Sequence, residues 1–547
     1  MNGVPMCANG ALINDWLRAR TAFGAYNGYV VSDCGAVADI QRTHRFANST
    51  TAAVAAAVRG GTDVNCGTAF RDALNASLEL GLLSAEDLET AVNRTVVAKL
   101  KLGLFDPPGA VPWSHLSMKE VGSQTHMALA RRAAQQAIVL VKNDARLLPL
   151  DQKKWKVTVI GPNANDTEVQ LGNYHGAPVN GTVRTPLQAI TSHVHALGGT
   201  TTFNQGCWVI GEGSWNFEAA IAAAEAADVA VVVIGTLSKG SAFPADTDGH
   251  TGFVDPATEK ESLDRTHLSL PGVQLDLVKA IARRTNTPMV VVLVNGAALE
   301  VEWLLASERV GAVLVTWYGG QMAGDALVDV LWGKAPPGAR LPVTLYRSNW
   351  TTASSMLDMS MSKWPGRTHR FVAPEFVLLP FGFGLGFGRF TYEVVSAPRT
   401  ALPLSRVRKW VAAGANAGHA PPHESLATFT IRVTNNGPAD TEHVVLGFLV
   451  SPLVVGVAAN GEAGWGEDEA AHIHPQQSLF DFVRVAVAAG RSSTVVLTLL
   501  VQDVTHVLSD GTRDAVPGKF VAHFGERQSG QMGQGYEELT FEVGGDA

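Results

Sequence analysis

At 547 residues the chain exceeds the size at which one hydrophobic core keeps growing, so about two to four domains are expected. With 46% hydrophobic and 17% charged residues it is not a disordered or fibrous polymer, and its formal net charge of −8 leaves no basic surface for a nucleic acid. The longest apolar runs, Val229–Ile234 and Met289–Val294, are of strand length and far short of the roughly 18 residues that span a bilayer, so no membrane partner is expected.

The chain opens with Met1-Asn-Gly-Val-Pro-Met-Cys7, which lacks the basic and apolar regions of a signal peptide. Two strand-like segments follow, Tyr29–Val31 and Gly61–Val64, separated by the alanine-rich helical stretch Thr51–Val58. The prolines between Phe105 and Trp113 mark a linker. From about residue 125 to 345, helical segments such as Phe217–Ala227 alternate with buried-type strands at Val157–Ile160, Val229–Ile234, Met289–Val294 and Ala312–Thr316. That alternation predicts βα units and a mostly parallel sheet. A connector closes on Phe381–Gly388. Period-two patterning at Ala427–Val433, with strand-like runs at Val444–Val450 and Thr494–Leu500, then predicts an antiparallel β-sandwich.

Asp33 directly follows an apolar strand, at the carboxyl end where βα-barrels carry their chemistry. Taken alone, a helix-capping role explains it better. Glu261 lies in Glu259-Lys-Glu-Ser-Leu-Asp-Arg265, in the long loop after the strand ending at Gly235; its bland reading is a solvated charge cluster. Together, two carboxyl groups are what glycoside hydrolysis requires. The four cysteines, Cys7, Cys34, Cys66 and Cys207, have no zinc spacing and leave three full disulfide pairings open. No phosphate loop, dinucleotide turn or Gly-x-Ser-x-Gly elbow is present, so neither cofactor nor metal is expected. Six Asn-X-Ser/Thr sequons, at Asn48, Asn75, Asn93, Asn165, Asn180 and Asn349, fit an extracellular glycoprotein.

Asn2–Asn9, Gly28–Cys34 and Gly61–Cys66 resemble, in order, the end of the barrel of glycoside hydrolase family 3. Ile138–Asp144 with Leu147–Leu150, Gly319–Asp325 and Pro337–Val343 resemble that family's second domain. Leu379–Leu385 matches the connector before its fibronectin type III-like domain.

The resemblance implies the carboxyl-terminal part of a (β/α)8 barrel at 1–108, a linker at 109–124, an α/β sandwich at 125–346, a connector at 347–389 and a fibronectin type III-like domain at 390–547. It also implies that most of the amino-terminal barrel is missing, and a signal peptide with it. Carried onto this sequence, it makes Asp33 the nucleophile and Glu261 the acid/base, with Glu259 the competitor. Cys34 and Cys7 point to the β-xylosidase and α-arabinofuranosidase branch, hence to retaining, cofactor-free hydrolysis of terminal β-xylosyl residues of an oligosaccharide. A β-glucosidase or α-arabinofuranosidase of the same family, and a non-catalytic carbohydrate-binding remnant, are the alternatives.

Overall fold

The computed structural model describes residues 3–19, 26–179, 181–211, 216–238, 241–243, 253–255, 258–261, 263–398, 401–417, 423–453, 474–508, 512–525 and 536–545. It divides into two compact units: Met1–Met118 with Ser405–Glu424 and Gly511–Asp514, and the remainder. The division after Met118 lies within the stretch 109–124 expected as a linker. Residues 405–424, expected in the last domain, group with the first unit and include a helix, Leu404–Ala417, that the strand patterning did not foresee.

The first unit is mainly helical: α1 Ala36–Arg42, α2 Thr50–Arg59, α3 Ala69–Glu79 and α4 Ala85–Lys101. Ser49 caps α2 by accepting from the Ala52 amide, and the alanines behind it pack closely against Val37, Ile40 and Ala73. The two predicted strands are reduced to one parallel bridge, Val31 with Val64. Ser32 N donates to Val64 O at 2.8 Å and Asp63 N to Val30 O at 2.8 Å. The order strand, α2, strand survives, but too few residues pair to extend a ladder.

The second unit holds a six-stranded sheet: β1 Val139–Asn143, β2 Lys156–Ile160, β3 Thr200–Asn204, β4 Val229–Gly235, β5 Met289–Val294 and β6 Val310–Val315. Its order is β1-β6-β5-β4-β2-β3, parallel throughout except for β1. Both faces are covered, which is why the central strands read as unbroken apolar runs. Val157, Val159, Val231, Val233, Val290 and Val292 face one helical layer, α5 Gln124–Ala137, α6 Pro186–Ala196 and a later helix, Ala323–Leu331. Ala230, Val232, Ile234, Val291 and Leu293 face the other, which includes α7 Phe217–Glu225 and α8 Gln274–Arg284. With α9 as Glu302–Ala306, the helix Ala323–Leu331 is α10.

Beyond the connector stand two antiparallel sheets. One is β7 Phe390–Ser396, β8 Ser425–Asn435 and β11 Ser492–Leu500, in the order β7-β8-β11. The other holds β9 Thr441–Val450, β10 Ser478–Val487, β12 Gly518–Gly525 and β13 Tyr536–Gly544, in the order β13-β12-β9-β10, with Leu402–Pro403 added beside β13. Phe429 of β8 meets Phe480, Phe524 and Phe541 of the opposite sheet at 5.4–5.8 Å between ring centroids, so the two sheets share an aromatic core.

Candidate active site

Asp33 occupies the turn between the Val31 bridge and α1, with Gly35 at φ 83° opening the helix. Its side chain is exposed, and Oδ1 accepts from the Cys34 amide at 2.7 Å. The turn is tied down on both sides: Gly35 N donates to Cys66 O at 2.8 Å, Cys66 N to Ser32 Oγ at 3.0 Å, and a disulfide joins Cys34 to Cys66. Of the three pairings the sequence left open, the structure thus forms one bridge and leaves Cys7 and Cys207 as thiols. Burial raises the Cys7 thiol above its ordinary value; the Asp33 amide opposes this by donating to the sulfur, and the Asp33 charge adds to it.

Asp63 is the residue that sequence reasoning passed over. Its side chain is only 1% exposed, yet it takes Arg18 at 2.6 Å on one oxygen and Arg94 at 3.0 Å on the other, while Val30 N donates to Oδ2 at 2.8 Å. A buried carboxylate flanked by two guanidiniums fixes one strand segment against the other. Its only sequence signal was its place in Gly-Thr-Asp-Val, a motif to which no role had been attached.

The second unit presents a crevice where β2 has β3 on one side and β4 on the other. Chains leave such a switch point in opposite directions, and ligands collect outside the strands' carboxyl ends. Glu259 lies there. Its Oε1 accepts from Thr236 Oγ1 at 2.8 Å, Tyr318 Oη at 2.7 Å, Gly296 N at 2.6 Å and Ala297 N at 3.2 Å, which are groups just past β4, β5 and β6. Arg265 approaches Oε2 to 3.7 Å, and both side chains are 10% exposed or less. Burial, then the Glu259 charge, pushes the Tyr318 phenol well above its ordinary range. Position 296 must be glycine, since a Cβ would lie 2.9 Å from Glu259 Oε1 and 2.8 Å from the Tyr318 ring.

Glu261, two residues on, faces solvent instead. Its amide donates to Asn173 Oδ1 at 3.2 Å, and the Tyr174 hydroxyl donates to its Oε2. The two candidate glutamates therefore differ in kind: Glu259 is spent on holding the loop, while Glu261 keeps an accessible carboxyl group. Of the long loop between β4 and Glu259, the described parts include Ser241–Phe243 paired antiparallel with Phe253–Asp255. Asp33 belongs to the first unit and Glu261 to the second.

The second unit is thus a mostly parallel α/β sheet covered by helices on both faces, with the Glu259 segment at the carboxyl ends of its strands. Residues 138–388 match the model of the glycosyl hydrolase family 3 C-terminal domain, which puts that stretch of the chain in glycoside hydrolase family 3. It is 32% identical over 509 residues to "Beta-D-xylosidase 1" of Arabidopsis thaliana, covering 90% of this chain and 60% of the relative. Against "Probable exo-1,4-beta-xylosidase xlnD" of Neosartorya fischeri it is 35% identical, covering 82% of this chain and 54% of the relative. A solved "GH3 exo-beta-xylosidase (XlnD) in complex with xylobiose aziridine activity based probe" superposes with a TM-score of 0.84 at 27% identity, covering 100% of this chain and 64% of that one. The chain thus spans 54–63% of the length of such curated relatives.

Proposed function

We propose that the chain carries the nucleophile and the acid/base of a retaining exo-β-glycosidase that removes terminal β-1,4-xylosyl residues from xylan oligosaccharides. Asp33 attacks the anomeric carbon to give a glycosyl ester, and Glu261 protonates the leaving oxygen and then activates water. The observation that carries this reading is the exposed Asp33 carboxylate just past the Val31–Val64 bridge, in a turn pinned by the Cys34–Cys66 disulfide and the Ser32–Cys66 hydrogen bond. Glu261 suits the second role because its carboxyl group is exposed and has the Tyr174 hydroxyl as its partner.

In this reading residues 1–108 are the carboxyl-terminal part of a (β/α)8 barrel, and residues 390–547 contain a fibronectin type III-like sandwich. A disulfide and exposed asparagines at all five described sequons support secretion; the sixth, Asn180, lies outside the described residues. Similarity to "Beta-xylosidase/alpha-L-arabinofuranosidase 1" of Medicago sativa, 30% identical over 537 residues, favours α-L-arabinofuranosides as the second substrate class.

Covalent labelling tests the assignment. A xylose-configured aziridine should esterify Asp33, as located by peptide mass spectrometry, and should not label Asp33→Ala. A label on any other carboxylate removes Asp33 from the role.

A further inference from the structure

The connector segment from Ser354 to Arg367 is a loop fixed from within. Arg367 closes it: Nη2 donates to Ser354 Oγ at 3.2 Å and to Ser355 O at 2.8 Å, Nη1 donates to Ser360 O, and the backbone amide donates to Met361 O at 2.9 Å. Asp358 braces the middle, accepting on Oδ1 from the Ser360 amide at 2.9 Å, with Lys363 Nζ 3.3 Å from Oδ2. That carboxylate therefore already has its partners.

The side chains this frame turns to water are apolar. Leu357, Met359 and Met361 are exposed, while Asp358 and Ser360 between them are half-buried. Met359 and Met361 therefore share a face, roughly 7 Å apart as in an extended strand. Met356, in the turn just before, is exposed too, and Met359 is 90% exposed. Three of the chain's ten methionines thus stand within six residues, 356–361. Side chains so exposed contribute little to packing. What a methionine offers there, and a leucine does not, is a polarizable sulfur on a flexible stem.

Accessible thioethers on a rigid loop, beside a carboxylate that is already bonded, favour a soft cation over a hard one. Thioether sulfur suits Cu(I), whereas magnesium and calcium take oxygen ligands. We infer that Met356, Met359 and Met361 form a surface binding site for a soft monovalent cation of the Cu(I) class. Met359 and Met361, on one face, supply the pair of sulfurs that closes on the ion, and Met356 supplies the third. The site lies outside the glycosidase reading and does not depend on turnover.

Peroxide oxidation of the 547-residue chain, followed residue by residue with peptide mass spectrometry, tests this. The probe is silver nitrate, an air-stable source of a soft monovalent cation, in excess over the two free thiols, Cys7 and Cys207. Rising Ag(I) should slow sulfoxide formation at Met356, Met359 and Met361 saturably, by about tenfold once the site is roughly nine-tenths filled. Met118, 80% exposed with Met127 the nearest methionine along the chain, should oxidise at an unchanged rate. Calcium chloride should protect none of the four. Met359→Leu, a surface change that leaves the thermal midpoint where it was, should remove most of the protection at Met361, because a chelate holds an ion far more tightly than its separate ligands do. Equal rates with and without Ag(I), equal protection of Met118, protection by calcium, or full protection of Met361 in Met359→Leu overturns the proposal.

Discussion

The hydroxyl of Tyr318 lies 2.7 Å from Oε1 of Glu259, so a side chain just past the carboxyl end of β6 locks the loop that carries the candidate acid/base. The lock is buried and charged, which makes it sensitive to the loss of one partner. Glu259→Gln should destabilise the second unit by roughly 3–5 kcal/mol, the cost of leaving a buried ion-pair partner uncompensated. Tyr318→Phe should cost about 1 kcal/mol, one hydrogen bond. Urea unfolding followed by tryptophan fluorescence measures both, and a Glu259→Gln protein as stable as the parent would contradict the geometry.

Glu261 should behave in the opposite way. Its carboxyl group is exposed, so Glu261→Gln should change stability by less than about 0.5 kcal/mol. In a form that turns over substrate, the same change should slow xylobiose greatly and aryl xylosides with good leaving groups little, because only the former requires protonation of the leaving oxygen. That dependence appearing in Glu259→Gln instead would shift the assignment by two residues.

The disulfide between Cys34 and Cys66 closes a stretch with a sequence separation of 32. A loop of that size constrains the unfolded chain by about 3–4 kcal/mol, and the effect should be confined to the first unit. Val31 at 53% exposure, and α4 with Ala91 as its one buried residue, show how little apolar cover that unit has. Limited proteolysis should cut within Met1–Met118 first, faster still with reductant, while the six-stranded sheet of the second unit and its covering helices stay protected. Equal protection of the first unit, with and without reductant, would refute this.

His369 stacks on Phe381 at 4.3 Å, and burial, helped by the charge of Arg370, lowers its imidazole from 6.5 to about 4. Between those values the unfolded chain binds the proton that the folded one refuses. The contribution is therefore complete above about pH 6.5 and is lost as pH falls toward 4. The urea midpoint should drop between pH 7 and pH 5, and His369→Phe should make that drop smaller. An unchanged drop in the variant would assign the acid sensitivity to other groups.

Much of the fold was legible because burial writes itself into periodicity. β2, β4, β5 and β6 sit between two helical layers, so both faces must be apolar and the strands read as continuous runs. β8 is patterned the other way, with Phe429 and Ile431 buried and neighbours such as Thr430 only half-buried, and its alternation was equally plain. Where a segment obtains its partner only from a distant part of the chain, no local pattern marks it. β3 is exposed and polar, and β1 pairs with β6 across more than 160 residues, so neither was read as a strand. The segments around Val31 and Val64 had the composition of strands without the neighbours to extend them.

The candidate site divides along the same line. The sequence by itself determined which residue types stand where: the carboxylate after Val30-Val31-Ser32, the two glutamates two residues apart, and four cysteines of unknown pairing. Only the tertiary structure decided which of them are free. It paired Cys34 with Cys66, buried Asp63 between Arg18 and Arg94, and gave Glu259 four donors while leaving Glu261 in solvent. The physical reason is that a carboxylate's role depends on the donors around it, and those of Glu259 come from three loops that meet only because β4, β5 and β6 lie side by side.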